Sequence, residues 1–209
     1  MVNEMMEALD VYTTIENPVD GMFKDKGSKF IAYAYPLSNE LVFKEILQEV
    51  KLLHPKARHH CWAYRLTNDR QVFKLSDDGE PAGSAGRPIL NTLLSANLTH
   101  VAVIVVRYFG GTLLGVPGLI NAYKEATKEA LSAAHLIQKT VNDQFVLVFG
   151  YLQLNDMMRI VKDLQLEVLD QQFDNTCRME ISCRQAQTPQ LIQRLQQLDS
   201  IEITPLNET

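Results

Sequence analysis

The stretch from Val101 to Tyr108 is apolar at nearly every position. A run that continuous predicts a strand covered on both faces. Around it the pattern changes period. Thr13 to Val19 and Ser28 to Leu37 read as two strands, joined by the polar turn DGMFKDKG. Phe43, Ile46, Leu47 and Val50 fall at i, i+3, i+4 and i+7, which predicts a helix from Leu41 to Leu53 that Pro55 ends. Arg58 to Leu66 and Gln71 to Leu75 alternate as strands around an Asn68-Asp69 turn. The polar loop SDDGEPAGSAG follows, then a short helix from Pro88 to Ala96. Past the glycines after Phe109, Leu119 to His135 reads as a helix with Ile120, Tyr123, Thr127, Ala130, Leu131 and Ala134 on one face.

The last third has its own rhythm. Val141 to Phe149 is a strand, and Leu154, Met157, Met158, Val161 and Leu164 mark a helix. Glu167 to Phe173 and Cys177 to Arg184 make a hairpin around Asp174-Asn175. Thr188-Pro189 has the form of an N-cap with proline at the first helical position. Leu191, Ile192, Leu195 and Leu198 give that helix its apolar face, and Ile201 to Thr204 closes as a strand. The order βαββαβ is that of a ferredoxin-like domain. The expectation is therefore an α+β chain of two domains, 1–136 and 137–209.

Composition narrows the class. The chain has 209 residues, 46% hydrophobic and 22% charged, and can bury a core without disulfides or metals. Three cysteines without a CxxC pair argue against a zinc ribbon. Cys177 and Cys183, six apart on one strand, stand roughly 20 Å apart and cannot bond to each other. Unpaired thiols fit a reducing cytosol. The longest apolar run falls far below the ~18 residues of a membrane span. The N-terminus lacks a basic n-region, so a cytoplasmic protein with no membrane contact is expected.

A net charge of -5 argues against nucleic-acid binding by the whole surface. The charge is uneven, however. Residues 21–75 hold ten Lys/Arg against five acids, and residues 137–209 hold six against ten. A polyanion would meet the first domain, with Lys24, Lys26, Lys29 and Arg58 as phosphate contacts.

Three segments could carry chemistry. In RHHCWAYR, strand geometry turns His59 and Cys61 one way and His60 and Trp62 the other, so both histidines cannot hold one metal. Either could be a packed side chain, an acid/base or a phosphate contact. In SDDGEPAGSAGRP, the carboxylates of Asp77, Asp78 and Glu80 fall within four residues. Such a cluster needs solvation, a cation or a basic partner. A solvated turn, a metal site and a ligand contact all stay open, although the EF-hand spacing is absent. In VRYFGGTLLGVPGL, a buried strand enters a glycine loop and then a helix, a place where backbone N–H groups favour an anion. Arg107, Tyr108, Gly110 and Gly111 lie there. The loop is neither a Walker loop nor a Rossmann fingerprint. Tyr108, Phe109 and Tyr123 read as core rather than as stacking platforms.

Taken together, KGSKFIAYAYPL, HHCWAYR, SDDGEPAGSAGRP, VVRYFGGTLLGVPGL and AYKEA, in this order, resemble the YigZ/IMPACT family over about Gly27 to Leu131. The βαββαβ unit resembles the second domain of the bacterial members. The resemblance implies a first domain with the left-handed βαβ fold of elongation factor G domain IV, and a second like its domain V. It further implies a translation-linked regulatory or binding protein, contacting RNA or a ribosome-associated factor, with no cofactor. Two rivals remain: a hydrolase or phosphotransferase using a carboxylate/His cleft, and a protein-interaction regulator without nucleic-acid contact. The chain departs from the family pattern at Val116-Pro117, which removes an N–H from the anion loop. The eukaryotic members carry an extra N-terminal domain. Only about a dozen residues precede the first expected strand here, so that domain's partner does not carry over.

Overall fold

The computed structural model describes residues 10–66, 72–198 and 200–206. The elements in chain order are β1 (Val11–Ile15), β2 (Val19–Asp25), β3 (Ser28–Pro36), α1 (Glu40–Leu53), β4 (His59–Arg65), β5 (Phe73–Ser76), α2 (Gly86–Ser95), β6 (Val101–Tyr108) and α3 (Gly115–Ser132). They continue with β7 (Leu136–Thr140), β8 (Asn142–Gly150), α4 (Leu154–Asp163), β9 (Glu167–Gln172), β10 (Thr176–Arg184), α5 (Thr188–Leu195) and β11 (Glu202–Pro205). The Asn68-Asp69 turn and Gln71 lie outside the described residues. Residues 12–139 form one compact unit; the chain from Thr140 onward forms a second, together with Asp10 and Val11.

The first unit is built on a five-stranded sheet of order β2-β3-β6-β4-β5, antiparallel at every step. Because β3 and β4 both run antiparallel to β6, they run parallel to each other and are joined through α1. β6 is buried from Val101 to Arg107 because helices cover both sheet faces. On one face Val101, Val103 and Val105 pack with Ile89 and Leu93 of α2 and with Leu119, Tyr123 and Ala126 of α3. On the other, Ala102, Ile104 and Val106 pack with Phe43 and Val50 of α1. The alternation expected of β4 holds: Cys61 and Ala63 face α2 and α3, and Tyr64 faces α1.

Three local readings need correction. The stretch read as a polar turn is the strand β2, paired with β3 from Val19↔Ala34 to Asp25↔Ser28. It is polar because it is an edge strand: Asp20, Met22 and Lys24 are exposed, while Val19 and Phe23 pack inward. Lys24 therefore lies in a strand, and the turn shrinks to Lys26 and Gly27, both at positive φ. The strand expected over Thr13 to Val19 ends at Ile15 as β1, which pairs with β7, a strand the residue pattern left unassigned. Finally, α3 begins at Gly115 rather than Leu119. Pro117 sits in its first turn, where a missing N–H leaves no helical bond unmade.

The second unit is a four-stranded antiparallel sheet of order β11-β8-β10-β9, the ferredoxin-like order. Phe145, Leu147, Phe149, Cys177, Met179 and Ile181 alternate inward against Met157, Ile160, Leu191 and Leu195 of its two helices. Thr188 does not cap α5; the N-cap is Gln187, and the Thr188 hydroxyl donates to Asp143 at 2.7 Å. All three cysteines are buried and free. Among the described residues no helix is long and apolar enough to cross a membrane.

Candidate functional site

Strand register assembles one end of the first unit's sheet. Phe30, Arg107 and His59 stand side by side on β3, β6 and β4, and Lys29 stands beside Tyr108. Beyond this edge lies a groove of about 560 Å³ lined by Lys56, Arg58, His59, Arg107, Tyr108, Phe109 and Leu113. Every charged residue in that lining is basic. Lys56 and Arg58 are exposed and His59 is half-buried.

The acidic loop reaches the same edge, but its carboxylates are not among the lining residues, and each is engaged by another group. Asp77 accepts backbone N–H bonds from Gly83 (2.8 Å), Ala85 (3.0 Å) and Gly86 (2.8 Å), so it staples the loop onto the start of α2. Asp78, at φ 40°, accepts the His60 backbone N–H at 2.6 Å, and its carbonyl accepts from His59 Nδ1 at 2.9 Å. That second bond requires the proton on Nδ1 and leaves Nε2 for a ligand. Glu80 is buried and accepts from Arg107 at 2.7 Å and from the Tyr123 hydroxyl at 2.8 Å. Among the described residues, no three His, Cys, Asp or Glu side chains come together as a metal cage.

Arg107 is the hinge of the arrangement. Its guanidinium is fixed by Glu80 and lies 5.6 Å from the ring centroid of Phe30 and 5.7 Å from that of Phe109. A planar cation within reach of two rings gains from both quadrupoles. Tyr123 is core, as expected, and the Cys61 thiol reaches its hydroxyl at 3.2 Å. Burial pushes the Cys61 thiol well up, which keeps it protonated and unreactive. Phe109 departs from the expectation. It is 59% exposed, because it lies one residue beyond β6, where the cover of the helices ends.

The remaining candidates divide. Gly110 packs against the β2–β3 turn: a Cβ there would lie 1.9 Å from the Gly27 carbonyl carbon, so only glycine fits. Its N–H donates to the Ser28 hydroxyl at 3.1 Å. Gly111 is exposed at φ 89°. His60 is buried on the α1 face, away from His59. Lys24, Lys26 and Lys29 belong to the β2–β3 hairpin and do not line the groove. One constellation escaped the residue pattern. His54, at the end of α1, bonds the Tyr33 hydroxyl through Nε2 (2.7 Å) and the Tyr108 hydroxyl through Nδ1 (2.9 Å). The helix signal ending at Pro55 marked only the position of His54.

Comparison with known proteins agrees with this architecture. The family described as the Impact N-terminal domain matches residues 26–131, the span that contains the groove and the acidic loop. The chain is 37% identical to an IMPACT family member of Haemophilus influenzae over 71% of its length and 73% of the relative's. It is 33% identical to the IMPACT family member YigZ of Escherichia coli over 75% and 78%. A hypothetical protein solved by crystallography superimposes with a TM-score of 0.70 at 27% identity, covering 96% of this chain and 99% of its own. With the family model matching residues 26–131, and relatives above 30% identity that align over more than two thirds of both chains, the chain belongs to the IMPACT family.

Proposed function

We propose that the chain is a translation-linked regulatory protein that contacts RNA through the groove at the end of the first unit's sheet. One observation carries this reading. The groove is lined by Lys56, Arg58, His59 and Arg107 with no carboxylate among them, while Asp77, Asp78 and Glu80 are engaged by loop N–H groups and by Arg107. A basic concavity with aromatic walls suits a phosphate backbone. The link to translation comes from the kinship implied by the family motifs, and it is fold-level analogy. A carboxylate-based hydrolase is less well supported, because each acidic side chain of the loop already has a structural bond.

The test is a salt titration of binding to a short RNA. Each neutralised phosphate steepens the dependence by about 0.7 log units for a single strand. Lys56→Ala with Arg58→Ala should weaken binding and flatten that slope without lowering the unfolding midpoint, since both side chains are exposed. Absence of binding by the unmodified protein at low salt would overturn the reading.

A further inference from the structure

We infer that the groove holds an unpaired nucleotide of a strand, with its base stacked on Phe109 and its phosphate against Lys56, Arg58 and His59; this rests on the RNA reading above. Phe109 is 59% exposed, which leaves apolar ring surface in water at the rim of the groove. The Arg107 guanidinium sits 5.7 Å from its ring centroid. Arg107 in turn is anchored by Glu80, with side-chain exposures of 8% and 3%. The ring is thus braced on one side by a fixed cation, and its exposed surface meets the groove. Leu113, 82% exposed, adds apolar surface at the same rim.

The charges complete the footprint. Lys56 and Arg58 precede β4, and His59 opens it. The three share the groove with Phe109, so aromatic and cationic contacts fall within one cavity. At about 560 Å³ it lies within the ~300–1,000 Å³ of small-ligand sites. A base inside a duplex is already stacked on its neighbours and cannot lie on a protein ring without being flipped out. The site therefore selects unpaired RNA. Stacking is tolerant of base identity, so little sequence preference follows.

The experiment measures binding of a labelled ten-nucleotide RNA single strand, its duplex, and inorganic polyphosphate of similar charge. The expected order is single strand tightest, with duplex and polyphosphate weaker. Phe109→Ala should lower single-strand affinity on the order of 10- to 100-fold, the range of one lost base stack. It should leave polyphosphate binding and the salt slope unchanged, since it removes no charge. Phe109→Trp should retain the affinity. If the single strand binds but Phe109→Ala matches the unmodified protein, the stacking inference fails and the RNA reading stands. If no strand binds at low salt, both fail.

Discussion

At the scale of residues, the crowded acidic loop shows how neighbours in sequence part in space. Asp77, Asp78 and Glu80 invite the reading of a shared cation. Instead each takes a different donor: loop N–H groups, the His60 backbone, and Arg107 with Tyr123. The cluster was legible in the sequence, but the partners were not, because Arg107 and Tyr123 lie 27 and 43 residues beyond Glu80. The Glu80–Arg107 pair is almost wholly buried. Removing one partner of such a pair strands the other charge and costs about 3–5 kcal/mol. Glu80→Ala should therefore lower the urea-unfolding free energy by about that amount, and adding Arg107→Met should recover a large part of it. A double variant as unstable as the single would show that the loss has another source.

At the scale of elements, β2 carries the clearest lesson. Its composition reads as a turn because it combines edge-strand charges with a glycine. Gly21 is there for packing: a Cβ would come within 2.3 Å of the Ala130 backbone nitrogen of α3. The helix rests directly on the strand backbone. Gly21→Ala should force the two apart and cost roughly 1–3 kcal/mol or more. Met22→Ala, on the exposed side of the same strand, should stay within about 0.5 kcal/mol. Thermal unfolding of the two variants side by side checks this, and equal losses would refute the close approach. By contrast, α1 was readable from its apolar spacing, and its Asn39 cap forms as that chemistry dictates, accepting N–H bonds from Leu41 and Val42.

At the scale of the whole molecule, the first unit should be sensitive to acid. His54 ties α1 to β3 and β6, and desolvation, then Lys29, push its pKa down. Desolvation also lowers that of His60, although Asp78 opposes it. Both folded values lie below the unfolded value of about 6.5, so between them the unfolded chain binds more protons. This stability is fully present above about pH 6.5 and is lost as the pH falls through the folded values. The unfolding midpoint should drop on acidification, and less so in His54→Gln; an equal drop would remove His54 from the account. The sequence by itself determined the two-faced burial of β6, the helix α1 and the βαββαβ order of the second unit. These are set by periods of two and 3.6 that record which side of a segment faces a core. Only the tertiary structure decided that β2 is a strand, that Phe109 is exposed, that Tyr33, His54 and Tyr108 form one chain of hydrogen bonds, and that the acidic loop's carboxylates each bond a separate partner. Each of these depends on a contact between residues far apart along the chain, and a local period carries no record of a distant partner.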